Sequence, residues 1–209
     1  MRVTSIEELT KSRSRVVVDE EFAFVLYKGE LRTFHIREGE EIGQDCYQTI
    51  VNQLLPKRAK LRAMNLLKTK DYTVKQLRDK LRTGGYPEEV IDQALAYVES
   101  FRYTDDLRYA VGFISSHEGA RSRRRIEQDL LAKGIDRATL EEAWVRWEEQ
   151  GGSQDEQAMI RALLDKKHFD PQRADYRERR KMVGFLLRKG FAGEEVRKAV
   201  RFDDFYAED

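Results

Sequence analysis

Three segments of this chain align on a glycine, and each carries apolar residues at the same distances from it. The glycines are Gly85, Gly134 and Gly190. Apolar residues recur eight and four positions before each glycine and six, nine and ten positions after it. These residues are Leu77, Leu81, Ile91, Ala94, Leu95; Ile126, Leu130, Leu140, Ala143, Trp144; and Met182, Leu186, Val196, Ala199, Val200. The chain is therefore predicted to contain an internal repeat of about 50 residues.

Each position in this pattern has a physical reason. The two apolar residues before the glycine share one face of a helix, and glycine is favoured in the left-handed turn that ends a helix. The later positions form the apolar stripe of a following helix. An earlier helical pattern precedes each copy, at residues 61–67, 107–114 and 159–164. Three-helix units of this kind bury little core alone, so they are expected to stack into an elongated array with a long binding surface.

Helix starts are indicated by residues that cap backbone N–H groups. Thr73 with Gln76 and Ser153 with Glu156 match the capping-box spacing, and Thr104 precedes an acidic pair.

The first part of the chain reads differently. Two β-branched and aromatic runs, at residues 16–18 and 22–27, flank the acidic turn at 19–21 and predict a hairpin. Ile6 and Leu9 indicate a strand before it, a helix is expected around residues 45–54, and Pro56 is expected to mark a boundary. The predicted fold is mainly α: a small strand-containing segment with a helix at 1–55, then helical repeats at 57–101, 102–151 and 152–209.

Composition and motifs argue against several classes of protein. The net charge is +1, so charge alone identifies no partner. Cys46 is the single cysteine, which fits a reduced, cytoplasmic setting, and no apolar run is long enough to span a membrane. The chain contains no phosphate-binding glycine motif, and its 3 histidines are scattered. We therefore expect no catalytic residues, metal, cofactor or small-molecule substrate.

Basic residues cluster before the second and third glycines. The positions thirteen, eleven, ten and nine residues before the glycine hold Arg121, Arg123, Arg124 and Arg125 in the second copy and Arg177, Arg179, Arg180 and Lys181 in the third. Such clusters are most often solvated helix faces. Here, however, positive charge is expected at the start of a helix, where it opposes the helix dipole. We therefore favour a contact surface for an anionic partner.

The same residues resemble the RecX family of recombination regulators. The similarity runs through residues 103–110, where Asp105, Asp106, Arg108 and Tyr109 match an acidic-Arg-Tyr-Ala motif, and through the Lys-Gly turns at 133–134 and 189–190. The first copy departs from this pattern, with Thr83-Gly84-Gly85 at its turn. Arg188 and Lys189, in the third turn, join the candidate contacts.

This resemblance implies a non-enzymatic protein that lies in the groove of the RecA–single-stranded-DNA filament. There it would bridge protomers, inhibit strand exchange and ATP hydrolysis, and promote disassembly. The residues themselves leave alternatives open. One is a helical-repeat protein that binds single-stranded or duplex DNA directly, and others are an adaptor for a different partner and, remotely, an enzyme.

Overall fold

The structure, a computed structural model, describes residues 1–202. It divides into two compact units, Met1–Asp105 and Asp106–Asp209. The predicted N-terminal segment and the first repeat lie together in the first unit, and the second and third repeats lie in the second.

The first unit opens with an antiparallel sheet of strands β1 (Val3–Thr10), β2 (Arg13–Val18) and β3 (Glu21–Tyr27), in that order. The predicted hairpin and its preceding strand are therefore confirmed. Asp19 and Glu20 form the tight turn, with φ of 50° and 68°. Both residues occupy the left-handed region that such two-residue turns require and that glycine usually fills. This explains how the hairpin closes without a glycine.

Helices α1 (Lys28–Thr33) and α2 (Gln44–Thr49) follow, and α2 continues through a π-helical turn, Ile50–Leu54, into α3 (Leu55–Leu67). The helix therefore passes through Pro56, and the predicted boundary there was wrong. In the π-helical turn the N–H of Leu55 donates to the carbonyl of Ile50, five residues back. This wider turn lies directly before Pro56, which has no N–H to donate and occupies the first turn of α3.

The first repeat is completed by α4 (Val74–Thr83) and α5 (Glu88–Ser100). Phe24 and Leu26 of β3 belong to the same buried cluster as Leu77, Leu81 and Ile91 of the repeat. Sheet and first repeat thus share one core, because neither could bury its apolar face alone.

The second unit consists of α6 (Asp106–His117), α7 (Arg123–Ala132), α8 (Arg137–Glu149), α9 (Glu156–Lys166), α10 (Tyr176–Arg188) and α11 (Gly193–Val200). Its second repeat buries Ile126, Leu130 and Trp144 in one cluster, and its third buries Leu186 and Val196 in another. The predicted tandem three-helix repeats are confirmed.

All three aligned glycines end a helix in the same way. Gly85, Gly134 and Gly190 have φ of 82°, 93° and 92°. In each copy the glycine N–H donates to the carbonyl three residues earlier, and the next N–H donates to the carbonyl of the leucine four residues before the glycine. This is the Schellman arrangement. It explains why the glycine, that leucine and the following apolar residue recur together.

The helix starts were predicted only in part. Thr73 caps α4, accepting from the N–H of Gln76 at 3.1 Å, as expected. α6 begins at Asp106, so its N-cap position is Asp105 rather than Thr104, whose hydroxyl donates to the carbonyl of Tyr72. The predicted helix start at Ser153 was wrong, because α9 begins at Glu156, two residues later than a cap at Ser153 would place it. There Asp155 accepts from a backbone N–H, and a carboxylate also interacts favourably with the helix dipole.

Candidate functional site

The candidate basic residues lie on α7, α10 and the turns beside them. Ser122 is the N-cap of α7, so Arg123, Arg124 and Arg125 occupy its first three positions. Asp175 caps α10, which begins three residues earlier relative to its glycine. The alignment had predicted that the two clusters occupy corresponding helix positions. This prediction was wrong. Positive charge opposes the dipole in the first turn of α7, but most of the α10 cluster lies beyond the first turn.

Four of the candidates converge on one hollow of about 570 Å³ in the second unit. Arg121 and Arg125 enter from the start of α7, and Arg188 and Lys189 from the end of α10. Apolar residues complete the lining: Ala120, Leu163, Phe185 and Phe191. A hollow lined by both basic and apolar side chains suits a ligand or partner segment that carries negative charge.

Ser122 brings the two helix ends together. Its hydroxyl donates to the carbonyl of Lys189 at 3.0 Å and accepts the N–H of Arg125 at 3.3 Å. Gly190 permits this close approach, since a Cβ there would lie 2.5 Å from the Ser122 Oγ. Ser122 was not predicted as a helix cap, although it stands twelve residues before Gly134, just as the cap Thr73 stands twelve residues before Gly85.

Carboxylates offset part of the α7 cluster. Asp129 lies 2.7 Å from Arg121 and 3.1 Å from Arg125, and Arg123 contacts Glu127 at 3.1 Å. The positive charge of the α7 cluster is therefore partly compensated. Such partly exposed pairs contribute about 0–1 kcal/mol each, so these arginines can exchange partners at little cost.

Arg179 is not a surface contact, and its prediction as one was wrong. Its side chain is buried, with the whole residue 7 % exposed. Its Nε donates to the carbonyl of Ala174 at 3.0 Å, and its Nη1 donates to the carbonyl of Arg201. The guanidinium therefore joins the start of α10 to the end of α11, which makes its role structural.

The remaining basic candidates are exposed. Within residues 1–202, no carboxylate lies within 4 Å of the basic groups of Arg124, Arg177, Arg180, Lys181 or Arg188. The side chains of Arg177, Arg180 and Lys181 do not line the hollow. These three residues of α10 therefore lie outside the hollow.

The motif residues lie around the start of α6. Asp106 is the first residue of that helix and Asp105 precedes it, while Arg108 is exposed. Tyr109 is half-buried and stacks on Phe113, with ring centroids 6.3 Å apart. The tyrosine of the motif thus packs against the core of the second repeat.

Two features of the described residues bear on other functions. Within 1–202, no three His, Cys, Asp or Glu side chains are grouped so that they could hold a metal ion. No helix in that range combines the length and apolar character needed to span a membrane. Cys46 is half-buried, and burial raises the pKa of its thiol.

Sequence models of one family match most of the helical part of the chain. They are described as the first, second and third three-helix domains of RecX, and they match residues 59–97, 105–143 and 154–200.

Relatives match over nearly the whole length. "Regulatory protein RecX" of Caldanaerobacter subterraneus subsp. tengcongensis is 33 % identical over 96 % of this chain and 98 % of its own. The protein of the same name from Clostridioides difficile is 26 % identical over 97 % and 98 %. Two crystal structures share the fold. One of regulatory protein RecX covers 96 % of this chain and 98 % of its own at 20 % identity, with a TM-score of 0.58. RecX from Lactobacillus salivarius covers 72 % and 97 % at 21 % identity, with a TM-score of 0.54.

Proposed function

The chain belongs to the RecX family of regulatory proteins, and we propose that it binds the RecA recombinase filament and inhibits its strand-exchange and ATPase activities. In this role it is not an enzyme, and any ATP hydrolysed is hydrolysed by RecA. It acts in the cytoplasm, where it modulates DNA repair and homologous recombination.

The observation that carries the proposal is the basic hollow of the second unit. Arg121 and Arg125 belong to the second repeat and Arg188 and Lys189 to the third, so the two repeats supply one surface. Guanidinium groups match carboxylates and phosphates in geometry as well as charge. An acidic segment of a RecA protomer fits this surface, as does the phosphate backbone of DNA held in the filament.

A neutralising variant tests the hollow. We expect Arg188→Gln with Lys189→Gln to raise the concentration needed for half-inhibition of RecA's DNA-dependent ATPase about tenfold, which corresponds to roughly 1.4 kcal/mol. Neither residue has a carboxylate within 4 Å among those described, so the fold should survive. The matched control is Arg137→Gln with Lys166→Gln, which removes the same charge from exposed sites of the same unit outside the hollow. Equal effects of the two variants would count against the hollow.

A second candidate function is direct binding to DNA. The exposed Arg177, Arg180 and Lys181 favour it, because they lack nearby carboxylates within residues 1–202. Phosphate contacts of this kind make affinity fall steeply with salt. If the triple change of these residues to Glu abolishes binding to naked DNA but leaves RecA inhibition intact, the clusters serve separate partners. Loss of both together would favour DNA held in the filament as their shared target.

A further inference from the structure

The first unit contains a second basic hollow, of about 410 Å³, that no sequence pattern indicated. Arg13 on β2, Arg58 and Arg62 on α3, and Lys80 on α4 contribute its four cations. Tyr27, Thr83, Gly84 and Tyr86 complete the lining. Among the described residues no carboxylate lines the hollow, so its surface is strongly positive.

Arg58 forms the fixed wall of this hollow. Its Nη1 lies 2.6 Å from Glu30 Oε2, and its Nη2 donates to the carbonyl of Val25 at 3.1 Å. The guanidinium also lies 4.7 Å from the centre of the Tyr27 ring and 5.5 Å from that of Tyr86. Among the described residues its buried Nε has no hydrogen-bond partner. The side chain is thus held in place with one donor unused.

The other three cations form no ion pair with the part of the chain that the structure describes. In residues 1–202, no carboxylate lies within 4 Å of the basic groups of Arg13, Arg62 or Lys80. Glu30 balances Arg58 alone. The carbonyl end of α4, near Thr83, adds only about half a negative charge. A clear positive excess therefore remains, and like charges held together in this way favour an anionic ligand.

We propose that this hollow binds phosphate groups and that a single-stranded nucleic acid supplies them. The two guanidinium forks of Arg13 and Arg62, the ammonium of Lys80 and the unused Nε of Arg58 suit phosphate oxygens. A single carboxylate would leave most of the positive charge unbalanced, whereas successive phosphodiesters bring one negative charge each. The site goes beyond RecA regulation, since it is formed by residues of the first unit alone, shares none with the clusters of the later repeats, and requires no RecA.

The test measures binding of the full chain to a fluorescent oligothymidylate by anisotropy, without RecA. We expect the triple variant Arg13→Gln, Arg62→Gln, Lys80→Gln to bind at least about tenfold more weakly. The slope of log affinity against log salt should fall by about 2, the value for three lost contacts to single-stranded DNA. Arg58 is left intact because its ion pair with Glu30 is partly buried and structural.

The matched control is Lys11→Gln, Arg32→Gln, Lys68→Gln, which removes the same charge from exposed residues of the same unit outside the hollow. Melting curves by circular dichroism verify that both variants are folded. The site is supported if only the first variant weakens binding, and it is overturned if both weaken it equally or neither does. Inorganic phosphate and hexaglutamate serve as competitors. If either displaces the oligonucleotide from the wild-type protein as effectively as unlabelled oligothymidylate does, the assignment to nucleic acid is wrong.

Discussion

Substitution of Gly190 by alanine tests whether the end of α10 is built against the start of α7. The residue has φ of 92°, a conformation that costs a non-glycine residue about 1–2 kcal/mol. The added Cβ would also lie 2.5 Å from the Ser122 Oγ and 3.2 Å from the Arg125 Cβ. The serine must then move, which weakens both its hydrogen bond to Lys189 and its cap on α7.

The structure allows these effects to be separated. Loss of the cap costs about 1 kcal/mol and loss of the hydrogen bond a similar amount. Gly190→Ala should therefore lower the free energy of unfolding of the second unit by about 3–4 kcal/mol, the sum of these two losses and the cost of the left-handed conformation. Gly151→Ala is the matched control, because Gly151 has φ of 88° but a Cβ there meets no atom within 4 Å. Gly151→Ala should lower the free energy of unfolding only by the cost of placing alanine in the left-handed conformation, about 1–2 kcal/mol.

Urea denaturation followed by tryptophan fluorescence provides the assay. The 2 tryptophans of the chain, Trp144 and Trp147, are both buried in the second repeat, so their emission reports on this unit. If Gly190→Ala proves no more destabilising than Gly151→Ala, then the close approach of Gly190 to Ser122 does not stabilise the packing of the end of α10 against the start of α7.

Two further predictions concern single side chains. Arg179→Met should destabilise the second unit by about 2–3 kcal/mol, because two carbonyls lose their buried charged donor; Arg180→Met, at an exposed neighbour, should change the melting temperature little. The pKa of Asp136 lies below its usual range because the backbone N–H and the hydroxyl of Thr139 donate to its carboxylate. Its contribution to stability is therefore fully present above the ordinary value of 3.8 and is lost as pH falls through the lower folded-state pKa. Asp136→Asn should remove that part of the acid dependence in melting curves recorded from pH 2 to 6, and an unchanged slope would contradict the assignment.

The repeat could be predicted because its determinants are local. Gly134, Leu130 and Ile135 lie within six residues of one another, and one hydrogen-bonded turn requires all three. The hairpin was predictable for the same reason, since its strands are adjacent in sequence. Apolar runs separated by turn residues therefore predict such local structures from the sequence alone.

The fate of individual basic residues could not be predicted. Arg123 and Arg179 occupy equivalent positions before their glycines, yet the first is exposed and the second buried. The difference arises because α10 begins three residues earlier and Arg179 meets the carbonyl of Arg201, at the end of another helix. The hollow of the first unit likewise joins Arg13, Arg58 and Lys80, which are far apart in the sequence. Only tertiary packing brings such residues together.

The central claim is that this RecX-family chain restrains the RecA filament, and one measurement tests it most directly. The purified full chain is titrated against RecA assembled on single-stranded DNA while ATP hydrolysis is followed. We expect hydrolysis to be suppressed at fewer than one molecule of this protein per RecA protomer. Unchanged hydrolysis at every ratio, including an excess, would contradict the claim.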